Sequence, residues 1–387
     1  MAALSGPGVI NVADLRRLAK ARLPRVVFDY IDGGAEDEVT MRENRRAFEE
    51  VTFRPRGAVV TPACDLATTV LGTRLAMPFA LAPVGSTRLF WPRGEVHAAR
   101  AAAAAGTAYA ISTLVGTPIE EIRGASDGPL WYQIYLVGGR EVTRKGLARA
   151  RAAGCRVLLV TIDTAVAGLR ERDLRNGIKD LLGGAPIPKA RAGLQFLTKP
   201  AWVAGFIRDG GLMRFPNVVL EGGPMTYVDV GPALESAAVS WDDIGWIREA
   251  WDGPIVVKGV QSTEDARRAV ELGLAGVVVS NHGGRQLDGA PATLRLLPEI
   301  VDAVDGRLEI LLDGGVRRGA DVVKALCLGA KAVLVGRAYA YGLGAAGGPG
   351  VSRAIEILRT EVARTLKLLG VASVAQLDRS FVDVPAR

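Results

Sequence analysis

Only two histidines, His97 and His282, occur in the 387 residues, so any histidine-dependent chemistry has two candidates. His97 opens an alanine-rich stretch behind a Pro-Arg-Gly turn, which is a structural setting. His282 lies instead in Ser280-Asn281-His282-Gly283-Gly284-Arg285, among polar groups and glycines. A second set of residues suits an anion. Gly314-Gly315 and Gly336 let backbone N–H groups approach closely, helices are expected to begin just after them, and Arg317 and Arg337 can add charge-assisted hydrogen bonds. That combination points to a phosphate. The three cysteines, Cys64, Cys155 and Cys327, are far apart and form no CxxC pair. They exclude a disulfide framework and a zinc ribbon, leave no metal ligand set, and fit a reducing cytosol. Gly342 to Gly347 matches GxGxxG, but no further strand follows it, so the dinucleotide-binding context fails and the segment reads as a flexible loop.

Groups this scattered need a frame that converges them. From Pro78 onward short apolar runs alternate with helical stretches. The strand candidates are Phe79–Ala82, Tyr109–Ser112, Trp131–Tyr135, Val157–Ile162, Ile255–Lys258, Gly276–Val279, Ile310–Leu312 and Ala332–Val335. Continuous runs such as VLLV and GVVV suit strands buried on both faces. Eight strand–helix units predict an α/β fold, a (β/α)8 TIM barrel. It carries an N-terminal helical extension over residues 1–77 and a long insertion or lid after strand 4, residues 165–240, both expected over or around one mouth of the barrel. We expect one domain across 1–387. The C-terminal ends of barrel strands form the site in this architecture. Here they carry Ala82-Pro83-Val84-Gly85, Ser112, Gln133 with Tyr135, Thr161 with Asp163, Lys258, Ser280 to Arg285, Asp313-Gly314-Gly315 with Arg317, and Gly336-Arg337.

Composition narrows the classes. With 49% hydrophobic and 23% charged residues the chain is neither disordered nor fibrous. A net charge of +7 with no dense Lys/Arg block argues against a nucleic-acid partner. No signal peptide and no 18-residue uncharged apolar run is read, which predicts a cytoplasmic protein.

FDYIDGGAEDE, LAPVG, QIY, TIDT, KGV, SNHGGRQLDG, DGGVRRG and VGR together resemble the FMN-dependent L-2-hydroxy acid oxidases and dehydrogenases, over about Asp14 to Asp378. The resemblance implies an FMN-binding barrel. By position, Ser112, Gln133, Thr161 and Lys258 would bind the flavin ring, with the Lys258 ammonium near its N1–C2=O edge. Ala82, Pro83 and Val84 would lie against it, and Ser280 would join them. Asp313, Gly314, Gly315, Arg317, Gly336 and Arg337 would hold the ribityl phosphate. Arg285 and Arg170 would clamp the substrate carboxylate, with Arg172 the neighbouring alternative to Arg170. Tyr30 and Tyr135 would hydrogen-bond the substrate, and Gly85 would border it. His282 would be the base, oriented by Asp163, taking a proton from the hydroxyl or from the α-carbon.

Gly85 stands where many oxidases carry alanine, Leu114 where glycolate oxidase has tryptophan, and the insertion looks most like membrane L-lactate dehydrogenase. These features imply a dehydrogenase of a small 2-hydroxy carboxylate, with lactate leading and a quinone or other non-oxygen electron acceptor. An oxidase or mandelate-type enzyme reducing dioxygen is the alternative within the class; a non-catalytic flavin-binding barrel is the alternative outside it. The resemblance also favours a homo-oligomer, a tetramer. Pro200–Ile207, with Trp202, Val203, Phe206 and Ile207 between Lys199 and Arg208, suggests either a peripheral contact with the inner face of the membrane or a lid packed on its own barrel.

Overall fold

The computed structural model describes residues 8–178 and 194–385. Residues 1–7, and 179–193 of the expected insertion, lie outside the described residues. Three helices come first: α1 (Val12–Arg22), α2 (Arg25–Asp32) and α3 (Val39–Glu50). Asn11 and Asp14 form a capping box at the start of α1, and Pro24 stands at the N-cap of α2. A hairpin follows, β1 (Thr68–Val70) and β2 (Thr73–Leu75), turning through Leu71 and Gly72, both with positive φ.

Eight parallel strands then close into a barrel. The first four are β3 (Phe79–Leu81), β4 (Tyr109–Ser112), β5 (Leu130–Ile134) and β6 (Val157–Thr161). Helices α4 (Gly94–Ala104), α5 (Ile119–Gly124) and α6 (Gly139–Ala152) lie between them. After β6 come α7 (Glu171–Asn176), α8 (Pro200–Arg208), the antiparallel pair β7 (Arg214–Leu220) and β8 (Gly223–Thr226), α9 (Val230–Glu235) and α10 (Asp243–Ala250). The barrel resumes with β9 (Ile255–Val260), β10 (Gly276–Val279), β11 (Glu309–Leu312) and β12 (Ala332–Val335). Their helices are α11 (Thr263–Glu271), α12 (Thr293–Val304), α13 (Gly319–Cys327) and α14 (Arg337–Leu369). Closure is made by β12 on β3, Val333 to Val335 opposite Phe79 to Leu81.

The period-2 alternation of a strand divides the core in two. Leu130, Tyr132, Leu158 and Val160 face outward to the helices, in a cluster that also takes in the N-terminal helices. Ala80, Ala110, Trp131, Leu159, Val256, Val278, Leu311 and Leu334, one from each strand, share the barrel interior. The floor is closed by Val70, Leu71 and Leu75 of the β1–β2 hairpin, with Trp131 Nε1 donating to Thr73 Oγ1 at 3.3 Å. The apolar runs of the barrel strands therefore serve two cores at once.

The segment 342–347 is not a flexible loop but part of α14, which kinks at Ala346–Gly347. Its glycines permit close approach. A Cβ on Gly342 would stand 2.2 Å from the Gly350 carbonyl oxygen, and one on Gly347 would stand 2.5 Å from the Trp91 ring.

Candidate active site

Two residues beyond the interior layer, each strand presents one more inward position. Ala80 leads to Ala82, Ala110 to Ser112, Trp131 to Gln133, Leu159 to Thr161, Val256 to Lys258, Val278 to Ser280, Leu311 to Asp313 and Leu334 to Gly336. The top ring of the barrel thus contains six polar or charged side chains and two small residues above an apolar plug. Above it opens a cavity lined by Tyr30, Ala82, Pro83, Val84, Gly85, Ser112, Leu114, Tyr135, Arg170, Lys258, His282, Arg285, Asp313 to Arg317, Gly336 and Arg337, among others. Asp163, Gln133, Thr161 and Ser280 stand behind that wall and act on it. Gln133 Nε2 donates to Thr161 Oγ1 at 2.9 Å, and Ser280 Oγ accepts from Lys258 Nζ at 3.1 Å.

His282 is fixed from both sides. Its Nδ1 lies 2.9 Å from Asp163 Oδ1 and its Nε2 lies 3.3 Å from the Tyr135 hydroxyl. A carboxylate only accepts, so Nδ1 carries the proton and Nε2 keeps its lone pair toward the cavity. Burial lowers the His282 pKa below the ordinary imidazole value; Asp163 opposes this, while Lys258 and Arg170 add to it. Asp163, although burial opposes its charge, stays ionised below the usual carboxylate range through His282 and Lys258. Lys258 is buried too, but Asp313, 3.3 Å away, and Asp163 hold its pKa above the ordinary value. Burial pushes the Tyr135 phenol up to about 12, so it remains a neutral hydrogen-bonding group.

Arginines gather at the rim. Arg285 Nη1 donates to the carbonyls of Tyr30 and Gly33 at 2.7 and 2.9 Å, and its guanidinium lies 5.1 Å from the centre of the Tyr30 ring. Arg170 Nε is buried with no hydrogen-bond partner among the described residues. Arg172 turns away to Asp32 and Glu38, so of the two candidates it is Arg170 that faces the cavity.

An FMN molecule fits what these residues leave unsatisfied. Gln133 Oε1 and Asp313 Oδ1 are buried acceptors without a donor among the described residues. Arg317 donates to the Val316 carbonyl, and Arg337 to the carbonyls of Ile31, Gly283 and Gly33. Burial pushes Arg337 down to about 9, a cost that a bound anion would relieve. Gly314 and Gly315 hold φ near +90°, and a Cβ on Gly336 would meet nothing closer than 3.9 Å, which leaves room beside the backbone.

The insertion lies over the barrel mouth as expected, but the residues of its roof were not legible in the sequence. Phe215 of β7, Tyr227 just after β8, and Val230 and Leu234 of α9 cover the cavity from the insertion, and Thr164 and Gln286 complete the wall. The insertion has weak strand signals, and its pairing is local, so its length and place pointed to the barrel mouth while no pattern singled out these side chains. Trp202 departs from the membrane-contact expectation. It is only 5% exposed, donates to the Leu89 carbonyl, and stacks between Phe196 and Phe206. It packs on its own protein and is not part of an outward apolar face.

A family model described as FMN-dependent dehydrogenase matches residues 19–384. The L-lactate dehydrogenase of Caulobacter vibrioides is 43% identical over 390 residues, covering 97% of each chain. That of Pseudomonas aeruginosa is 43% identical over 372 residues, 94% of this chain and 95% of the relative. Among solved structures, the monotopic membrane protein (S)-mandelate dehydrogenase superposes with a TM-score of 0.90 at 37% identity, over 97% of this chain and 100% of the other. A mandelate oxidase gives 0.82 at 37%, over 98% and 100%.

Proposed function

The chain belongs to the FMN-dependent dehydrogenase family and oxidises a 2-hydroxy acid with FMN as cofactor; from that premise we propose L-lactate as substrate and His282 as base. The observation that carries the reading is His282 with its Nδ1 proton held by Asp163 and its Nε2 facing only the Tyr135 hydroxyl, sharing the cavity with an Arg170 whose buried Nε has no hydrogen-bond partner among the described residues. Arg170 and Arg285 bind the carboxylate, Arg285 in a position already fixed by the Tyr30 and Gly33 carbonyls. Tyr30 and Tyr135 bind the hydroxyl end. His282 takes up a proton leaving the substrate, and Asp163 stabilises the imidazolium that results. FMN, when bound, would supply the redox chemistry by taking up the two electrons together with the second proton. Ala82, Pro83, Val84, Ser112, Gln133, Thr161, Lys258 and Ser280 would hold its ring. Asp313, Gly314, Gly315, Arg317, Gly336 and Arg337 would hold its phosphate end. The described parts of 1–77 and 165–240 would belong to the same unit, the first supplying Tyr30 and the second the roof.

A quinone or dye, not dioxygen, completes the cycle in this reading. Gly85 removes a methyl group from the cavity wall, where a Cβ would stand 3.0 Å from the Leu114 carbonyl oxygen. A second reading, an aryl substrate such as mandelate, is favoured by the apolar roof of Phe215, Tyr227, Val230 and Leu234. Anaerobic bleaching of the flavin by L-lactate against (S)-mandelate separates the two; faster bleaching by mandelate displaces lactate.

Peripheral membrane contact is supported by the monotopic mandelate dehydrogenase and by Leu197 and Ile207, 77% and 66% exposed around α8. Among the described residues no helix is long and apolar enough to cross a membrane. The resemblance also supports a homotetramer, which light scattering reads directly.

A further inference from the structure

His282 and its two successors, Gly283 and Gly284, all hold left-handed backbone, with φ of +57°, +66° and +73°. For a histidine this is a costly conformation that persists only where the surroundings determine it. Part of the determination is local, since Ser280 Oγ accepts from the His282 N–H at 3.1 Å. The Ala35 N–H and Arg337 Nη1 add to it, donating to the Gly284 and Gly283 carbonyls at 2.8 and 2.7 Å, and a further hold comes from outside the barrel. Asn281, immediately before the histidine, forms a reciprocal pair with Asn44 of α3. Asn44 Nδ2 donates to Asn281 Oδ1 and Asn281 Nδ2 donates to Asn44 Oδ1, each at 2.9 Å. Both residues are 2% exposed, and neither lines the cavity.

Each amide has its orientation fixed by independent backbone groups. Asn281 Oδ1 also accepts from Gly284 N–H at 3.2 Å, and its Nδ2 also donates to the Pro291 carbonyl at 3.0 Å. Asn44 Oδ1 accepts from Thr293 N–H at 3.2 Å. Thr293 Oγ1 in turn donates to the Asp313 carbonyl at 2.6 Å. A Cβ on Gly314 would meet Thr293 Oγ1, Asn281 Oδ1 and Asn44 Nδ2 within 3.4 Å. One buried amide pair therefore joins an N-terminal helix to the histidine loop and to the turn at the phosphate end.

We propose that Asn44, through its reciprocal amide pair with Asn281, is a positioning residue that holds the left-handed His282 loop in its working geometry and keeps it in register with the Asp313–Gly315 turn. The pair is directional, so an isosteric aspartate at 44 would set oxygen against Asn281 Oδ1, and alanine would leave the pair open. The inference rests on His282 as the base. The groups facing that histidine are Asp163, Tyr135, Lys258 and Arg170, and a loosened loop weakens the Asp163 contact that opposes the lowering of its pKa.

The test uses the FMN-loaded full chain with Asn44→Ala and Asn44→Asp, and with His282→Asn alongside. Misplacement of a reacting group by about 1 Å costs on the order of 100-fold in rate, so flavin reduction at saturating L-lactate should fall about 10- to 100-fold in the Asn44 variants. KM should change little, the acid midpoint of kcat/KM should move to lower pH, and FMN released into solution should rebind more weakly by fluorescence titration. A merely structural asparagine would lower the melting temperature and leave both the pH profile and FMN affinity as in the wild type. That result, or failure of both Asn44 variants to fold, overturns the proposal. If His282→Asn retains normal flavin reduction, the base assignment itself is what has failed.

Discussion

In the proposed reaction His282, Arg170 and Asp163 carry the chemistry, and each makes a separable expectation. His282→Asn should keep FMN yet reduce it roughly 100- to 10,000-fold more slowly, the usual range for loss of a general base. Rapid-mixing absorbance of the flavin checks this, and near-normal reduction would place the base elsewhere. The pH dependence follows from burial. The histidine must be neutral to accept a proton, so activity is present above its pKa and is lost as pH falls through it. Because that pKa lies below the ordinary 6.5, kcat/KM should hold into mildly acidic solution. Asp163→Asn removes a charge that raises the histidine pKa, so the acid midpoint should move lower still while the rate falls. A midpoint moving upward would contradict the assignment. Arg170→Lys keeps a charge but loses the planar fork, so affinity for lactate and oxalate should both weaken; affinities within about twofold of the wild type would exclude Arg170 from the clamp.

At the level of elements, much could be read from the chain because two different demands coincide in the barrel strands. A strand that faces two cores is apolar throughout, and the first polar residue at its end marks the mouth, as Thr161 does after Val157 to Val160. The hairpins β1–β2 and β7–β8 left no such mark. Each pairs only within itself, and what they cover, a barrel floor and a cavity roof, is set by tertiary packing that no local pattern encodes. The Asn44–Asn281 pair was invisible for the same reason: its partners are far apart in sequence. Asp32 at the end of α2 is a further junction. Arg16 pairs with it at 2.6 and 2.8 Å, and Tyr341 of α14 donates to it at 2.7 Å. Burial alone would raise its pKa, yet these bonds and the Arg172 charge bring it down to about 2. A folded pKa below the unfolded value contributes stability that is present above about 4 and is lost as pH falls toward 2. Asp32→Asn should therefore cost about 2 kcal/mol near neutral pH, and less in acid. Thermal melts at pH 7 and pH 3 with an undiminished gap would contradict this.

For the whole molecule, the top ring is assembled from all eight strands, and the N-terminal helices and the insertion close over it. Binding FMN there should stabilise the entire barrel, by about 2.7 kcal/mol at a hundredfold excess over Kd. Stripping the flavin should lower Tm, and adding FMN back should restore it; riboflavin, lacking the phosphate, should restore it less if Arg317 and Arg337 hold that group. The exposed Leu197 and Ile207 bear on location in the cell. Flotation with anionic liposomes should carry the protein upward, and Ile207→Ser with Leu197→Ser should reduce this without altering flavin reduction. Oxidation of a 2-hydroxy acid in this barrel is proposed to pass through His282. The most direct measurement mixes anaerobic, FMN-loaded protein with L-lactate and follows the flavin absorbance, for the wild type and His282→Asn. The wild type should bleach while the variant, equally loaded with FMN, stays yellow on that timescale; equal bleaching in both, or none in the wild type with any 2-hydroxy acid, would contradict it.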